Sequence, residues 1–454
     1  MEIESAEAPK KSAGDFAPRP IETLAEVFAD GYFIEPVRDP VNQDKLALMM
    51  FNGRSAKIAV RVEHQGSVYA PRYVAPSIVR ELQLPTEIHA DGSVGELFSD
   101  LVRIIQRFSG LPDNFARLAA RIPLSTWVMD ARAAAPSIMF VGPDCRELTQ
   151  LFNLLKCLCR HALLLTEVHA GALHSLPTEM GLTLLIDQPE LSEPVQRILN
   201  AARKSEKKVP RRGTLWRPFC SKVIHVADYF IASIEAVRIP VLPTGRTLPV
   251  LDDEELIRIA NDFQPRLLAY RFANYGKVHA SQIDCSIGDY AMRESINGLA
   301  ACTPESPDLQ AEIVGIAAQE AAEVRQARWT DPPVVLIESL LMECHASVDS
   351  APYCGKIADA MSTISSARGI ERIFKPNQAG TLIRRMGFKP EPRDSEGVRL
   401  RLTEDVRRKV HQLARDFAVP SSENRIPGCP HCADLDKDLA QPAGTSDSGM
   451  PESE

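Results

Sequence analysis

At 454 residues the chain is long enough for about three domains of ordinary size, and it needs no disulfide or metal staple to fold. Its formal net charge of −8 excludes a protein that is cationic all over, such as a histone-like nucleic-acid coat. No run of about 18 apolar residues marks a membrane span, and the polar opening MEIESAEAPKKSAGDFAPRP lacks the apolar core of a secretory signal. Ten cysteines are scattered along the chain, several inside apolar helical text such as LLKCLCRHALLL, and so read as buried free thiols of a reducing compartment. A cytoplasmic protein is expected.

The net charge conceals a segregation. Between Ala201 and Lys222 there are eight basic residues against one acidic, and between Arg368 and Arg415 thirteen against six. Each island carries +7, which leaves −22 on the rest of the chain.

In chain order, residues 1–20 are expected to be disordered and 21–91 to form a small α+β domain. That domain reads as a helix over IETLAEVFAD, short β-runs (YFIEPV, LALMMF, KIAVRVEHQG, SVYAPRYV) and a helix over PSIVRELQL. From 92 to 330 a helical lead-in precedes apolar runs alternating with helices: Ser137–Val141, Ala162–Val168, Leu182–Ile186, Val223–Ala227 and EAVRIPVLP. That alternation predicts a parallel sheet covered on both faces. Asp331-Pro332-Pro333 breaks a long helical region and opens a domain at 331–419, and 420–454 is expected to be a disordered tail.

Two short motifs carry chemistry. Gly142-Pro143-Asp144-Cys145-Arg146-Glu147-Leu148-Thr149 lies between a predicted strand and helix with the spacing of a phosphate-binding GxxxxGK[ST] loop. Glu147 stands where the second glycine belongs and would repel an anion, and Leu148 replaces the phosphate-binding lysine. Gly142, Pro143, Asp144, Cys145, Arg146 and Thr149 remain the candidate nucleotide contacts. About forty residues on, Leu184-Leu185-Ile186-Asp187-Gln188 ends an apolar strand in an acid. In phosphoryl-transfer enzymes such an acid helps hold Mg²⁺, and the next residue acts as base toward water. Gln188 can orient water but cannot take its proton. Thr149 and Asp187 are therefore the candidate Mg²⁺ ligands, and Asp187 with Gln188 the degenerate catalytic pair.

These motifs, with Ser125-Thr126-Trp127, Pro136, Pro177-Thr178, the basic stretch ending at Gly213, RIPVLPTGRTLPVLDDEE and PRLLAYRF following in order, resemble the AAA+ helicase-like ATPases of phage and mobile-element primase-helicases. The resemblance runs from about Leu97 to Val419. It implies an ASCE-type P-loop sheet, ATP and Mg²⁺ as cofactors, action on DNA or a replication partner such as a primase, and a homo-oligomer with an arginine supplied between subunits. The expected fold is thus α/β: a P-loop (ASCE/AAA+-like) parallel sheet, a small N-terminal α+β domain and a C-terminal winged-helix domain. Because Glu147, Leu148 and Gln188 depart at the catalytic positions, a degenerate ATPase with weak or no hydrolysis is expected. A winged-helix adaptor with a non-functional nucleotide fold and an active helicase stay open.

The basic islands supply the DNA candidates. Arg203, Lys204, Lys207, Lys208, Arg211 and Arg212 lack interleaved aromatics, which favours phosphate contact over base stacking; a solvated loop is the other reading. In the second island three predicted helices precede the alternating run Val398–Leu402, the order of a winged helix, with Arg384 and Arg385 on the candidate recognition helix and Arg399 and Arg401 on the wing. Cys429-Pro430-His431-Cys432 has metal-ligand spacing but no second CxxC, and Cys344, His345 and Asp434 are the other donors considered. Zinc at Cys429 and Cys432 is not expected. His161, His169 and His174 lack HExxH order and read as structural, and no GxSxG anchors a hydrolase triad.

Overall fold

A computed structural model describes residues 19–89, 92–211, 213–227, 236–245, 247–281, 283, 285, 290–346, 350–395, 397–417, 419 and 429–432. The chain divides into two units, 1–318 and 319–454. Most of the residues expected to be disordered at the two ends, and Arg212, lie outside the described set.

Unit 1 opens with seven strands, β1 (Ile21–Thr23), β2 (Glu26–Val27), β3 (Phe33–Arg38), β4 (Leu46–Phe51), β5 (Ala56–Ala59), β6 (Val62–His64) and β7 (Ser67–Pro71), followed by helix α1 (Pro76–Glu81). They form a sheet β2-β3-β4-β5 and a sheet β1-β7-β6. The helix expected over IETLAEVFAD is instead β1 and β2, because β1 pairs with β7 and β2 with β3. Backbone pairing, of β1 to the distant β7 and of β2 to the adjacent β3, overrides the local helical spacing of Leu24 and Phe28.

Helices α2 (Val94–Ser109) and α3 (Asp113–Trp127) form the lead-in, and the Ser93/Glu96 capping box fixes where α2 starts. The core then alternates β8 (Ser137–Val141), α4 (Arg146–Leu158), β9 (Ala162–Leu165), α5 (Ala170–Leu173), β10 (Thr183–Ile186), α6 (Glu193–Ala201), the hairpin β11 (Val209–Arg211) and β12 (Thr214–Trp216), β13 (Ser221–Val226) and β14 (Val237–Pro240). Five of these strands make one wholly parallel sheet in the order β14-β8-β13-β10-β9. Strand β13 is inserted between the strand that leads into the glycine loop and the strand that ends in Asp187. Every residue of β8, β10 and β13 is buried, as a sheet covered on both faces requires. Helix α7 (Asp253–Ala280) packs on α3 and α4, and α8 (Tyr290–Ala301) and α9 (Pro307–Arg328) follow; the boundary between the units falls within α9.

Four charged side chains lock unit 1 together from within. Glu35 on β3, 2% exposed, accepts from Arg160 Nη2 at 2.7 Å and from Arg271 Nε at 2.5 Å. Arg271 on α7 also forks onto both oxygens of Asp130 (2.6 and 2.7 Å) and donates to the Trp127 carbonyl at 2.7 Å. Both guanidinium side chains are fully buried, and they are balanced by the buried Glu35 and by Asp130, whose side chain is partly exposed.

Unit 2 holds α10 (Pro332–Ala346), α11 (Cys354–Ala367), α12 (Pro376–Arg385) and α13 (Glu404–Asp416) around a core of Val335, Ile337, Leu340, Ile357, Met361, Ile383 and Val410. Between α12 and α13 the chain doubles back: Asp394 N donates to the Gly397 carbonyl, Glu391 N to Arg399, and Leu400 N to Pro352. The expected β-run at 398–402 is thus hydrogen-bonded extended backbone. Among the described residues no helix is long and apolar enough to cross a membrane.

Burial pushes the Asp130 carboxyl up, but Arg271 and Arg160 outweigh it and hold it at about 2. A carboxyl lowered in the folded state contributes stability above its unfolded value near 3.8, and that contribution disappears as pH falls from about 4 to about 2. Denaturant melts should show a loss on the order of 2 kcal/mol across that window, absent in Asp130→Asn. Glu35→Gln, which leaves two buried guanidiniums facing one carboxylate, should cost about 3–5 kcal/mol and lower the melting temperature accordingly.

Candidate functional site

In open α/β sheets ligands bind outside the carboxyl ends of the strands. Here the ends of β8, β13 and β10 bring together Gly142, His225 and Asp187, and the glycine loop is the first thing that lies over them. The loop is short, because α4 begins at Arg146 and only Gly142 to Cys145 connect it to β8. A Cβ at Gly142 would stand 1.9 Å from the carbonyl oxygen of Val241, the residue that follows β14 and donates its amide to the Val141 carbonyl, so this close backbone approach beside β8 already requires the glycine.

The position of the missing second glycine has a structural occupation. Glu147, 8% exposed, accepts from the Thr244 amide at 3.0 Å and from its hydroxyl at 3.2 Å. The Thr244 amide first, and then the residue's own amide in the first turn of α4, hold this carboxyl below the usual range. Leu148, at the lysine position, is 1% exposed and faces the core. Thr149 is exposed and donates to the Cys145 carbonyl of its own helix (3.3 Å), while Arg146 lies along α4 and donates to Gln150 at 3.0 Å. Pro143 and Asp144 are exposed and Cys145 half-buried.

Asp187 meets a residue that the sequence reading missed. His225, wholly buried in β13, has Nδ1 2.9 Å from Asp187 Oδ1 and Nε2 3.0 Å from the Gly142 carbonyl. Both neighbours are acceptors, so a neutral ring donates to only one of them at a time. The imidazole is a strut from the acid to the glycine loop. Its signal was legible as the one polar residue inside the apolar run VIHVA. Gln188 has both ends engaged: its oxygen accepts from the Val168 amide (2.7 Å) and its nitrogen donates to the Glu190 carbonyl (2.8 Å).

The basic candidates separate into those that serve the fold and those that face solvent. Arg203 and Lys204 both pair with Glu294 of α8, and Arg203 is buried. Lys222, counted in the same island, is 0% exposed, and burial pushes its ammonium down to about 8. Lys207 and Lys208 are exposed, immediately before the β11–β12 hairpin on which Arg211 stands. In unit 2, Arg384 and Arg385 are exposed on the last turn of α12, whereas Arg399 pairs with Asp394 and Glu391, and Arg401 with Glu391. Arg399 also donates to the Tyr353 hydroxyl.

The reason for setting zinc aside, the want of two further ligands, does not hold in the fold. His345 of α10 and His411 of α13 stand beside Cys429 and Cys432, with all four donor atoms within 4.8 Å of one another. Asp434 lies outside the described residues.

No family profile and no curated protein matches the chain. Among solved structures it is similar to the C-terminal region of NrS-1 in its A-form apo structure, at 11% identity and a TM-score of 0.35 over 81% of this chain and 95% of that one. A second structure of the same region gives 10%, 0.36, 81% and 96%. A full-length MCM homolog from Methanopyrus kandleri gives 12% identity and a TM-score of 0.31 over 63% and 76% of the two chains. Scores this low leave the functional reading to the chain's own residues.

The geometry predicts that writing the letters of a GxxxxGK[ST] pattern into this segment would not create a phosphate-binding loop. A Glu147→Gly/Leu148→Lys variant removes the Thr244 cap and buries an ammonium without a partner, so it should lose about 3 kcal/mol or more. Isothermal calorimetry on the folded fraction should detect no gain in ATP binding.

Proposed function

We propose that this protein is a DNA-binding, helicase-like α/β protein whose nucleotide crevice has become a structural joint, with weak or no ATP hydrolysis. The observation that carries the reading is the buried Glu147 carboxylate capping Thr244 at the start of α4, where phosphate would otherwise lie. The wholly parallel sheet, with β13 inserted between the loop strand and the acid strand, supports descent from a P-loop ATPase of the ASCE kind. The residues present do not fit MgATP. A carboxylate stands at the helix N-terminus, the lysine position is apolar and buried, and Asp187 and Gln188 are bound to the protein itself. Phosphoryl transfer depends on cations placed around the phosphates, and Arg146 is held along its own helix.

DNA contact falls to the cations that the interior does not use. Lys207 and Lys208, with Arg211 and Arg212 following them in sequence, form one set, and Arg384 and Arg385 at the end of α12 the other. Compact cations without adjoining aromatics engage phosphates and carry little sequence information. The helix order α10, α11, α12 followed by the hydrogen-bonded turn at 391–402 supports a winged-helix reading of unit 2. Arg399 and Arg401, already paired with acids, are the weaker DNA candidates. A replication partner and a homo-oligomer belong to this reading, as does origin in a mobile element, through the sequence resemblance.

Fluorescence anisotropy with a short duplex at several salt concentrations tests the DNA arm. Lys207→Glu/Lys208→Glu and Arg384→Glu/Arg385→Glu should each weaken binding, and the slope of log K against log [salt] should flatten by about 0.9 for every phosphate no longer neutralised. Sensitivity confined to Arg384 and Arg385 favours the adaptor reading, and indifference to both overturns DNA contact through these residues. Mg²⁺-dependent ATP turnover that disappears in Asp187→Ala would overturn the structural-joint reading.

A further inference from the structure

We infer that unit 2 carries a structural zinc site made by His345, His411, Cys429 and Cys432. His345 lies on the last turn of α10, His411 on α13, and the two cysteines bracket the short turn 429–432. The approach of the donor atoms is that of a coordination shell. His345 Nε2 and His411 Nε2 are 3.1 Å apart, Cys429 Sγ is 3.5 Å from His411 Nε2, and Cys432 Sγ is 3.3 Å from His345 Nε2. Ligands at about 2.0–2.3 Å from a tetrahedral zinc lie about 3.3–3.8 Å from one another, so a modest outward adjustment accommodates the ion.

The orientation of the rings supports the same reading. His411 Nδ1 donates to the Arg407 carbonyl one turn back on α13 at 2.8 Å, which fixes the ring and leaves Nε2 facing the other three donors. Metal-binding histidines are held in this way, with the second nitrogen anchored to a carbonyl or carboxylate. Arg407 itself donates to the carbonyls of Leu402 and Cys344, joining the α13 side of the cluster to the end of α10. Two thiolates and two imidazoles select Zn²⁺ over Mg²⁺ or Ca²⁺, and four protein ligands leave no open position for substrate. The site is therefore structural. His431, between the two cysteines, is turned toward Glu404 (Nε2 to Oε1, 3.3 Å) and is no ligand.

The ion would join the CPHC turn to α10 and α13, two helices that sequence alone keeps 66 residues apart at their histidines. Metal binding free energy is realised as folding free energy in such a site.

The test uses the full chain, expressed in zinc-supplemented medium and measured for metal by mass spectrometry. About one zinc per chain is expected in the parent protein and in the controls His431→Gln and Cys145→Ser, with loss of the metal in Cys429→Ser, Cys432→Ser and His411→Gln. Reconstitution of chelator-treated parent with Co²⁺ should give the visible bands of a tetrahedral thiolate–imidazole site, and Cys429→Ser should abolish them. That readout holds even if His411→Gln does not fold. Parent protein that neither retains zinc nor takes up Co²⁺, a Cys429–Cys432 disulfide in its place, or full metal content in both cysteine variants would overturn the assignment.

Discussion

The pairing of Glu35 and Asp130 with Arg160 and Arg271 is the constraint on which the organisation of unit 1 rests. Each of the four comes from a different element: β3, the turn after α3, the turn between α4 and β9, and α7. The three buried ones, Glu35, Arg160 and Arg271, cannot be buried alone, because an isolated ion in that interior would have to give up its charge or leave. The N-terminal strands, the lead-in helices and the parallel sheet must therefore arrive together. Phe33 and Phe51 stack against Phe272 on the same helix that carries Arg271, so apolar and ionic contacts fasten the same joint.

The crevice at the ends of β8, β13 and β10 obeys the same rule on a smaller scale. Its polar groups are satisfied by protein partners: Glu147 by Thr244, Asp187 by His225, Gln188 by Val168 and Glu190. A buried polar group without a partner is expensive. Internal hydrogen bonds are the state in which these residues can remain at the strand ends without destabilising the sheet.

Much of this was legible in the sequence, and the reasons for what was not are physical. The five strands of the central sheet announce themselves as apolar runs, most plainly β8, β10 and β13, where burial on both faces leaves no alternation to misread. The β1–β2 segment looked helical because Leu24 and Phe28 stand at helical spacing, while β7, the partner of β1, lies far outside any local window. His225 was visible only as an oddity, since nothing in VIHVA says that Asp187 and Gly142 flank it. The charge islands were correctly located, yet their count included Arg203, Lys204 and Lys222, whose charges belong to the interior or to Glu294. Of the His/Cys cluster, His345 stood among the donors considered, but His411 was hidden because α13 carries it with no metal-ligand spacing to the CPHC segment.

Gly142 has a consequence for how such chains are read. Its lack of a side chain is demanded by the Val241 carbonyl beside it, at the end of the neighbouring strand. A lineage that had abandoned nucleotide chemistry altogether would keep this glycine while its neighbours drifted. Persistence of that one letter would therefore record how closely two neighbouring strand ends approach, and the residues that report on chemistry are the others in the loop.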